Sequence, residues 1–122
     1  MKENPTPIYD INVYQGANWG ITLTLRDENK NIIQLADYTA MSQWRDIVSG
    51  EVIHEFTVAA GNLVINPSYG MIVMTVTPEQ SAAFKFRHIV HDVLLKNTVT
   101  GNVRALISGQ VYLHESVTKW PS

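Results

Sequence analysis

The sequence feature that most constrains the fold is a pair of long stretches near the carboxyl end, residues 89–96 (IVHDVLLK) and 103–113 (VRALISGQVYL). Small or apolar residues occupy every second position of the second stretch: Ala105, Ile107, Gly109, Val111 and Leu113. A period of two places one set of side chains on a buried face of a β-sheet and the other set towards solvent or a neighbour. Leu106 is the one apolar residue of the outward set.

The first stretch is apolar on both faces, which is typical of a central strand. One of its faces carries Ile89, His91, Val93 and Leu95. The connector Asn97–Asn102 is polar and contains glycine, as hairpin loops do. We therefore predict a long hairpin, with His91 as a hydrogen-bonded histidine of the core.

The rest of the chain predicts shorter strands separated by turn residues. They are residues 8–14 (an edge strand), 19–26, 32–33, 40–46, 52–58, 63–65 and 71–76. The 19–26 run is the clearest, because its apolar residues alternate with glycine and polar residues. Many short strands with turn signals every ~8–12 residues indicate an all-β fold, an antiparallel immunoglobulin-like β-sandwich.

One helix start stands out among these strands. Thr77 suits the N-cap, Pro78 the first helical position, and Gln80 completes a capping box. The pattern predicts one short crossover helix at about residues 78–84.

Length and composition indicate a single domain over residues 1–122, with a flexible arm at 1–7 and a tail at 115–122. Charged residues make up 16% of the chain against a typical ~25%, which favours a surface packed against partners. The net charge is −2 and no basic run exists, so we expect no nucleic-acid partner. We find no signal peptide or membrane-spanning stretch and expect synthesis in a cytoplasm and no membrane partner.

The residues that carry most enzyme chemistry form no recognisable pattern. There is no cysteine, and His88 and His91, three apart in a strand, face opposite sides and cannot share a metal. No serine elbow, phosphate-binding loop or dinucleotide fingerprint is present. A carboxylate pair assembled by folding stays open, but we expect no catalytic residues, no metal and no cofactor.

The aromatic residues leave two alternatives open. Trp44, Tyr14, Tyr69 and Tyr112 could form an exposed surface on which sugars stack. Trp120, in the terminal tail, either folds back on the domain or anchors in a neighbouring subunit.

Several short pieces occur in an order that resembles a known family. They are Tyr14-Gln15-Gly16 before the 19–26 strand, 35–39 (LADYT), 41–45, Asn66-Pro67 to Gly70 before the 71–77 strand, His91-Asp92-Val93, and 106–111 (LISGQV). Together they make residues 12–118 similar to small β-sandwich proteins of tailed-phage and prophage virions, from the tail tip or baseplate region. These include collar-forming proteins and the amino-terminal domains of baseplate upper proteins. Asp37 stands where that family has a corner glycine, and His91 where it commonly has tyrosine.

The resemblance implies a structural component of a bacteriophage virion, made in the host cytoplasm and working as a ring-forming or adaptor protein of the tail tip or baseplate. Its partners would be copies of itself, in a ring of six-fold symmetry or a multiple, and other tail proteins. It carries over no catalytic residue. The alternatives are a carbohydrate-binding module for host attachment, and a head decoration or neck protein.

We expect the protein–protein contacts at both ends of the chain and in the 97–102 loop. The candidate contact residues are Tyr14, Asn97, Thr98, Tyr112 and Trp120.

Overall fold

The computed structural model describes residues 7–86 and 88–118. They form eight strands: β1 (Ile11–Tyr14), β2 (Trp19–Thr24), β3 (Tyr38–Arg45), β4 (Val52–Thr57), β5 (Leu63–Asn66), β6 (Met71–Val76), β7 (His88–Asn97) and β8 (Val103–His114). A 3-10 turn, Pro67–Tyr69, precedes β6, and one short helix, α1 (Pro78–Ala83), precedes β7.

The strands form two sheets in a sandwich. The larger sheet has the order β1-β8-β7-β3-β4 and the smaller one β2-β6-β5. With β8, β7, β3 and β4 in one sheet and β2, β6 and β5 in the other, the order is that of an immunoglobulin-like sandwich of the variable type. The predicted all-β class is confirmed.

One strand pair departs from the predicted antiparallel pairing. β1 runs parallel to β8, with Ile11 opposite Val111, while every other neighbouring pair of named strands is antiparallel. Antiparallel neighbours can be joined by a tight hairpin, whereas parallel ones need a long connection. Almost the whole chain lies between β1 and β8, so no tight turn dictates their direction.

The core lies between the sheets and is centred on Trp44 of β3, which is completely buried. Its indole is within 6.3 Å, between ring centroids, of each of five aromatic rings: Trp19, His54, Phe56, Phe84 and Phe86. A buried tryptophan on the third strand of this topology is a hallmark of immunoglobulin-type cores. No disulfide accompanies it, because the chain has no cysteine.

The helix forms as its sequence predicts. The Thr77 hydroxyl accepts a hydrogen bond from the Gln80 amide, and the Gln80 side chain accepts one from the Thr77 amide. Ser81 is buried and donates from its hydroxyl to the Ala17 carbonyl at 2.7 Å, which fixes α1 beneath the turn between β1 and β2.

The alternation expected in β8 fails near its start. Val93 lies opposite Ile107, but Leu94 lies opposite Ala105, so Leu106 is an extra residue in the ladder. A bulge of this kind reverses which side chains face the core. Leu106 therefore packs against the core while Ala105 is exposed, the reverse of the expectation.

The returning segment expected at 32–33 is present but pairs over a single residue. Ile32 forms an antiparallel bridge with Arg26, and the Ile33 amide donates to the Leu25 carbonyl at 3.0 Å. The Asp27 carboxylate also accepts hydrogen bonds from two amides of the intervening loop, which shapes the turn.

Candidate functional site

The outer face of the five-stranded sheet, turned away from the smaller sheet, brings together two of the predicted contact residues. On β1 and β8, Tyr14 lies opposite His114 and Asn12 lies opposite Tyr112. On β8 and β7, Tyr112 lies opposite His88. Tyr14 and Tyr112 are thus diagonal neighbours on one end of this face.

Each of these tyrosines stacks on an imidazole. The rings of Tyr14 and His114 lie 4.8 Å apart at 23°, and those of Tyr112 and His88 lie 5.2 Å apart at 8°. We call this surface the Tyr–His end; its members are Asn12, Tyr14, His88, Gln110, Tyr112 and His114. Stacked pairs of this kind present flat, ordered rings.

Two side-chain amides hold the imidazoles in place. His114 Nε2 lies 2.9 Å from Asn12 Oδ1, and His88 Nε2 contacts Gln110 Oε1. An amide oxygen can only accept, so each Nε2–H is the donor. Among the described residues, the amide nitrogens of Asn12 and Gln110 make no hydrogen bond.

The tyrosine rings remain accessible, with Tyr14 55% and Tyr112 37% exposed. The sequence reasoning chose both tyrosines but missed the histidines that order them. Tyr112 and His114 are two apart in one strand, and this spacing could have placed His114 on the same face as Tyr112.

The other predicted contact residues lie elsewhere. Asn97 is the last residue of β7 and Thr98 follows it, at the end opposite His88, so they cannot share a surface patch with the Tyr–His end. The Asn97 side-chain oxygen accepts hydrogen bonds from the amides of Val99 and Thr100 in the loop after β7. Thr98 donates from its amide and its hydroxyl to the Asp37 carbonyl, which ties the loop to the 35–39 corner. Trp120 lies outside the described residues.

A second feature of the outer face is a shallow groove of about 370 Å³ near its centre. Its lining mixes apolar and charged side chains: Met41, Gln43, Arg45, Val90, Asp92 and Leu94. The Arg45 guanidinium donates to Gln43 Oε1 at 2.6 Å and to the Gly50 carbonyl. No element of the groove matches a recognisable ligand chemistry.

The core face of the sheet carries the predicted buried histidine. His91 is 4% exposed, and its Nε2 donates to the Tyr9 carbonyl at 2.6 Å, as expected for a hydrogen-bonded core histidine. It lies opposite Gly109, where a Cβ would collide with the Tyr9 carbonyl oxygen. Burial lowers the pKa of His91, against the opposing effects of the Tyr9 carbonyl, Asp92 and Asp10.

Three buried nitrogens have no hydrogen-bond partner in residues 7–86 and 88–118. They are His91 Nδ1, Trp44 Nε1 and His54 Nε2. Trp44 lies opposite His91 on one side and His54 on the other, so the three belong to one row across the sheet. Burial also lowers the pKa of His54. Both imidazoles are therefore neutral in the folded protein at neutral pH.

Within the described part of the chain, no three His, Asp or Glu side chains are close enough to hold a metal ion. None of the helices described there has the length and apolar character needed to span a membrane. A scan against protein-family models and a search of curated proteins found no match to this chain.

Proposed function

We propose that this chain is a structural component of a tailed-phage virion, working as a ring-forming or adaptor β-sandwich of the tail tip or baseplate. The virion role rests on the sequence resemblance over residues 12–118. The observation that carries the assembly role is the Tyr–His end, where Tyr14 and Tyr112 present ordered, accessible rings on a rigid sheet.

The physics of protein interfaces supports this assignment. Tyrosine is enriched among the residues that contribute most to binding energy. The His114 and His88 imidazoles already order the two rings, so a partner that covers them loses little conformational entropy on binding. The low charge of the chain is consistent with burying such surfaces, and no enzymatic step is part of the proposed role.

Incorporation into particles tests the proposal directly. Tailed particles encoded by the same genome are purified, probed by mass spectrometry, and labelled with gold-conjugated antibody against the chain. We expect label at the tail tip or baseplate. Label at the neck or on the head would move the protein to the head-decoration alternative, and absence from the particles would refute the virion role.

The contact surface is tested with variants supplied in trans to particles that lack the wild-type chain. The double variant Tyr14→Ala with Tyr112→Ala should reduce incorporation at least about tenfold, as loss of interface hot spots does. Tyr69→Ala is the matched control, because Tyr69 is 58% exposed but lies in the 3-10 turn before β6. Equal incorporation of the double variant and the control would remove the Tyr–His end from the interface.

Carbohydrate binding is the second candidate function. Rings flanked by the amide groups of Asn12 and Gln110 combine a stacking surface with hydrogen-bonding groups. Trp44 is completely buried, so the largest of the aromatic residues considered for sugar stacking cannot contact a sugar. A glycan array would favour this function if it gave hits that disappear in the double tyrosine variant and persist in Tyr69→Ala.

A further inference from the structure

The core of the sandwich is incompletely covered along β2. In three successive rows of the smaller sheet, a fully buried β6 residue lies opposite a β2 residue that is only partly buried. The pairs are Val76 with Trp19, Met74 with Ile21, and Ile72 with Leu23. The β2 side chains face the core, so their exposure marks an opening at this edge.

In the part of the chain that the structure describes, the main chain of β2 is also unpaired on that side. Within the described residues β2 pairs only with β6. The Leu25 amide donates to the Gly70 carbonyl on the β6 side. Because main-chain groups alternate along a strand, those of Gly20, Thr22 and Thr24 point away from β6. They form a row of hydrogen-bonding groups with no strand partner among the described residues.

Natural edge strands usually carry protection against pairing, such as charge, proline, a bulge or very short length. The β2 sequence, WGITLT, has no charge and no proline, and its register with β6 is regular. Two other edges, β1 and β5, are only four residues long. β4 is six residues long, but the Asn62 side chain occupies its edge at Glu55 and Thr57.

We propose that β2 pairs antiparallel with β2 of a second copy of this chain, about a two-fold axis through Ile21. The two smaller sheets would join into one continuous six-stranded sheet. Trp19 would lie opposite Leu23 of the second copy, and Ile21 opposite its own counterpart. A slip by one residue would turn one set of apolar side chains outward, so only registers that keep the two core faces on one side are favourable.

The second copy is the occupant because β2 itself meets every requirement of this edge. The free main-chain groups require a strand, and the exposed row requires apolar side chains at alternate positions. The uncharged edge requires a partner without charge, and β2 satisfies all three conditions. In the proposed register Gly20 forms hydrogen-bonded pairs with Thr22 of the second copy, and glycine within a strand often marks close approach of another backbone. Such a self-complementary contact closes as a dimer.

The dimer rests on the proposed assembly function and supplies one of its partners. It uses a different surface from the Tyr–His end, so the two can fail separately. Chains absent from particles but dimeric through β2 would refute the virion role alone. Chains present in particles but monomeric in solution would refute the dimer alone.

Light scattering across a hundredfold concentration range, with the fold checked by circular dichroism, tests the contact. The wild-type chain should approach twice its 13.7 kDa mass as concentration rises. Thr22→Lys places a charge on the edge and should weaken the dimer at least about tenfold, since lysine is a common edge protector. Val64→Lys, on the exposed face of β5 at the other edge of the same sheet, should leave it unchanged.

Disulfide trapping tests the register and does not depend on the lysine variant folding well. The chain has no cysteine, so Ile21→Cys and Val64→Cys each introduce a single thiol. Residues on the two-fold axis of an antiparallel pair have Cα atoms about 4.5–5.5 Å apart, within the range that a disulfide spans. Mild oxidation should therefore cross-link Ile21→Cys and leave Val64→Cys monomeric.

A monomeric wild-type chain at every concentration would overturn the proposal. So would a dimer that Thr22→Lys leaves intact, or equal cross-linking of the two cysteine variants. Residues 1–6 are the competing occupant of the edge, and their removal distinguishes the two. The dimer should persist without them, whereas a chain that dimerises only after their removal would assign the edge to the amino-terminal arm.

Discussion

The two sides of this sandwich end in different ways, and the difference comes from one amide side chain. On the β4 side, Asn62 Oδ1 accepts from the Thr57 amide and Asn62 Nδ2 donates to the Glu55 carbonyl, at 3.0 and 2.9 Å. The Asn62 carbonyl also accepts from the Thr75 amide of β6. On the β2 side, no side chain of the described residues forms hydrogen bonds of this kind with the edge strand. The β4 edge is closed, and the β2 edge is open.

The edge of a sheet can be closed without another strand. A primary amide carries one acceptor and two donors, so it can imitate the pairing groups of a neighbouring residue. Asn62 does this while joining the two sheets through its main chain. Phe56, on the closed-edge strand β4, is fully buried, whereas Trp19, on the open-edge strand β2, is only partly buried.

The largest expected effect separates the two tryptophans. Trp44→Ala should lower the free energy of unfolding by about 3–5 kcal/mol, because it removes a fully buried indole from the centre of the core. Trp44→Phe should cost less, since a phenyl ring refills part of the space and the unpartnered indole N–H is gone. Denaturant unfolding at low protein concentration measures both.

Trp19→Ala should cost roughly half as much as Trp44→Ala under the same conditions, because a partly exposed side chain buries less apolar area. Dilute protein keeps the measurement on the monomer. Equal costs for the two tryptophans would mean that the β2 side is as well covered as the β4 side, and the comparison would fail.

The next effect concerns the amide itself. Asn62→Ala should lower the free energy of unfolding by about 1 kcal/mol, because it removes one part-buried and one exposed hydrogen bond. It should also free the β4 edge. In the Thr22→Lys background, where the β2 dimer is weakened, we therefore expect a concentration-dependent rise in mass by light scattering.

Asn62→Asp is the informative control for that change. The carboxylate can still accept from the Thr57 amide but has no N–H for the Glu55 carbonyl, and its charge protects the edge. Asn62→Asp should lower the free energy of unfolding without the concentration-dependent rise in mass expected of Asn62→Ala. Association of Asn62→Asp as strong as that of Asn62→Ala would show that the amide does not close this edge.

Sequence reasoning recovered the parts of this fold that depend on local pattern. Alternation placed β2 and β7, and the capping residues Thr77 and Gln80 placed the helix. These features depend on neighbours within a few positions, which is the range over which periodicity and capping act. Tyr14 and Tyr112, expected as contact residues, both lie on the Tyr–His end, and their role in contacts stays a prediction.

The rest depended on long-range contacts that no local pattern carries. Asn62 reads as an ordinary turn residue, and only the folded chain places its amide against β4. Gly109 reads as one position of an alternating strand, but its role is to leave room for the Tyr9 carbonyl. The bulge at Leu106 arises from pairing with β7, and it reversed the faces expected for Ala105 and Leu106.

Acidification should lower the stability of the whole fold. Burial lowers the folded-state pKa of His54 and His91 below the usual value of 6.5, so the unfolded chain binds protons first as pH falls. The free energy of unfolding is therefore constant well above pH 6.5 and decreases as pH falls through that value. For His91, protonation adds a donor at Nδ1 that faces no acceptor among the described residues.

Thermal melts between pH 7.5 and 5 measure this dependence, above the range where most carboxylates titrate. His54→Phe removes one titrating group and should flatten the curve. The matched control is His114→Asn, on the outer face of the sheet. A wild-type curve that stays level from pH 7.5 to 5 would contradict the prediction.

The last prediction concerns Thr22 at the β2 edge, where we expect the smallest change in the free energy of unfolding. In dilute solution, Thr22→Lys should change the free energy of unfolding by no more than about 0.5 kcal/mol, because Thr22 is exposed and makes no side-chain hydrogen bond in the described structure. The same change should weaken association at least about tenfold at high concentration. If the substitution weakens the dimer and leaves the monomer stable, the β2 edge is used for assembly and not for the stability of the fold. If Thr22→Lys instead unfolds the monomer, the unpaired side of β2 contributes to the stability of the fold. The β2 edge would then not be an unused pairing surface.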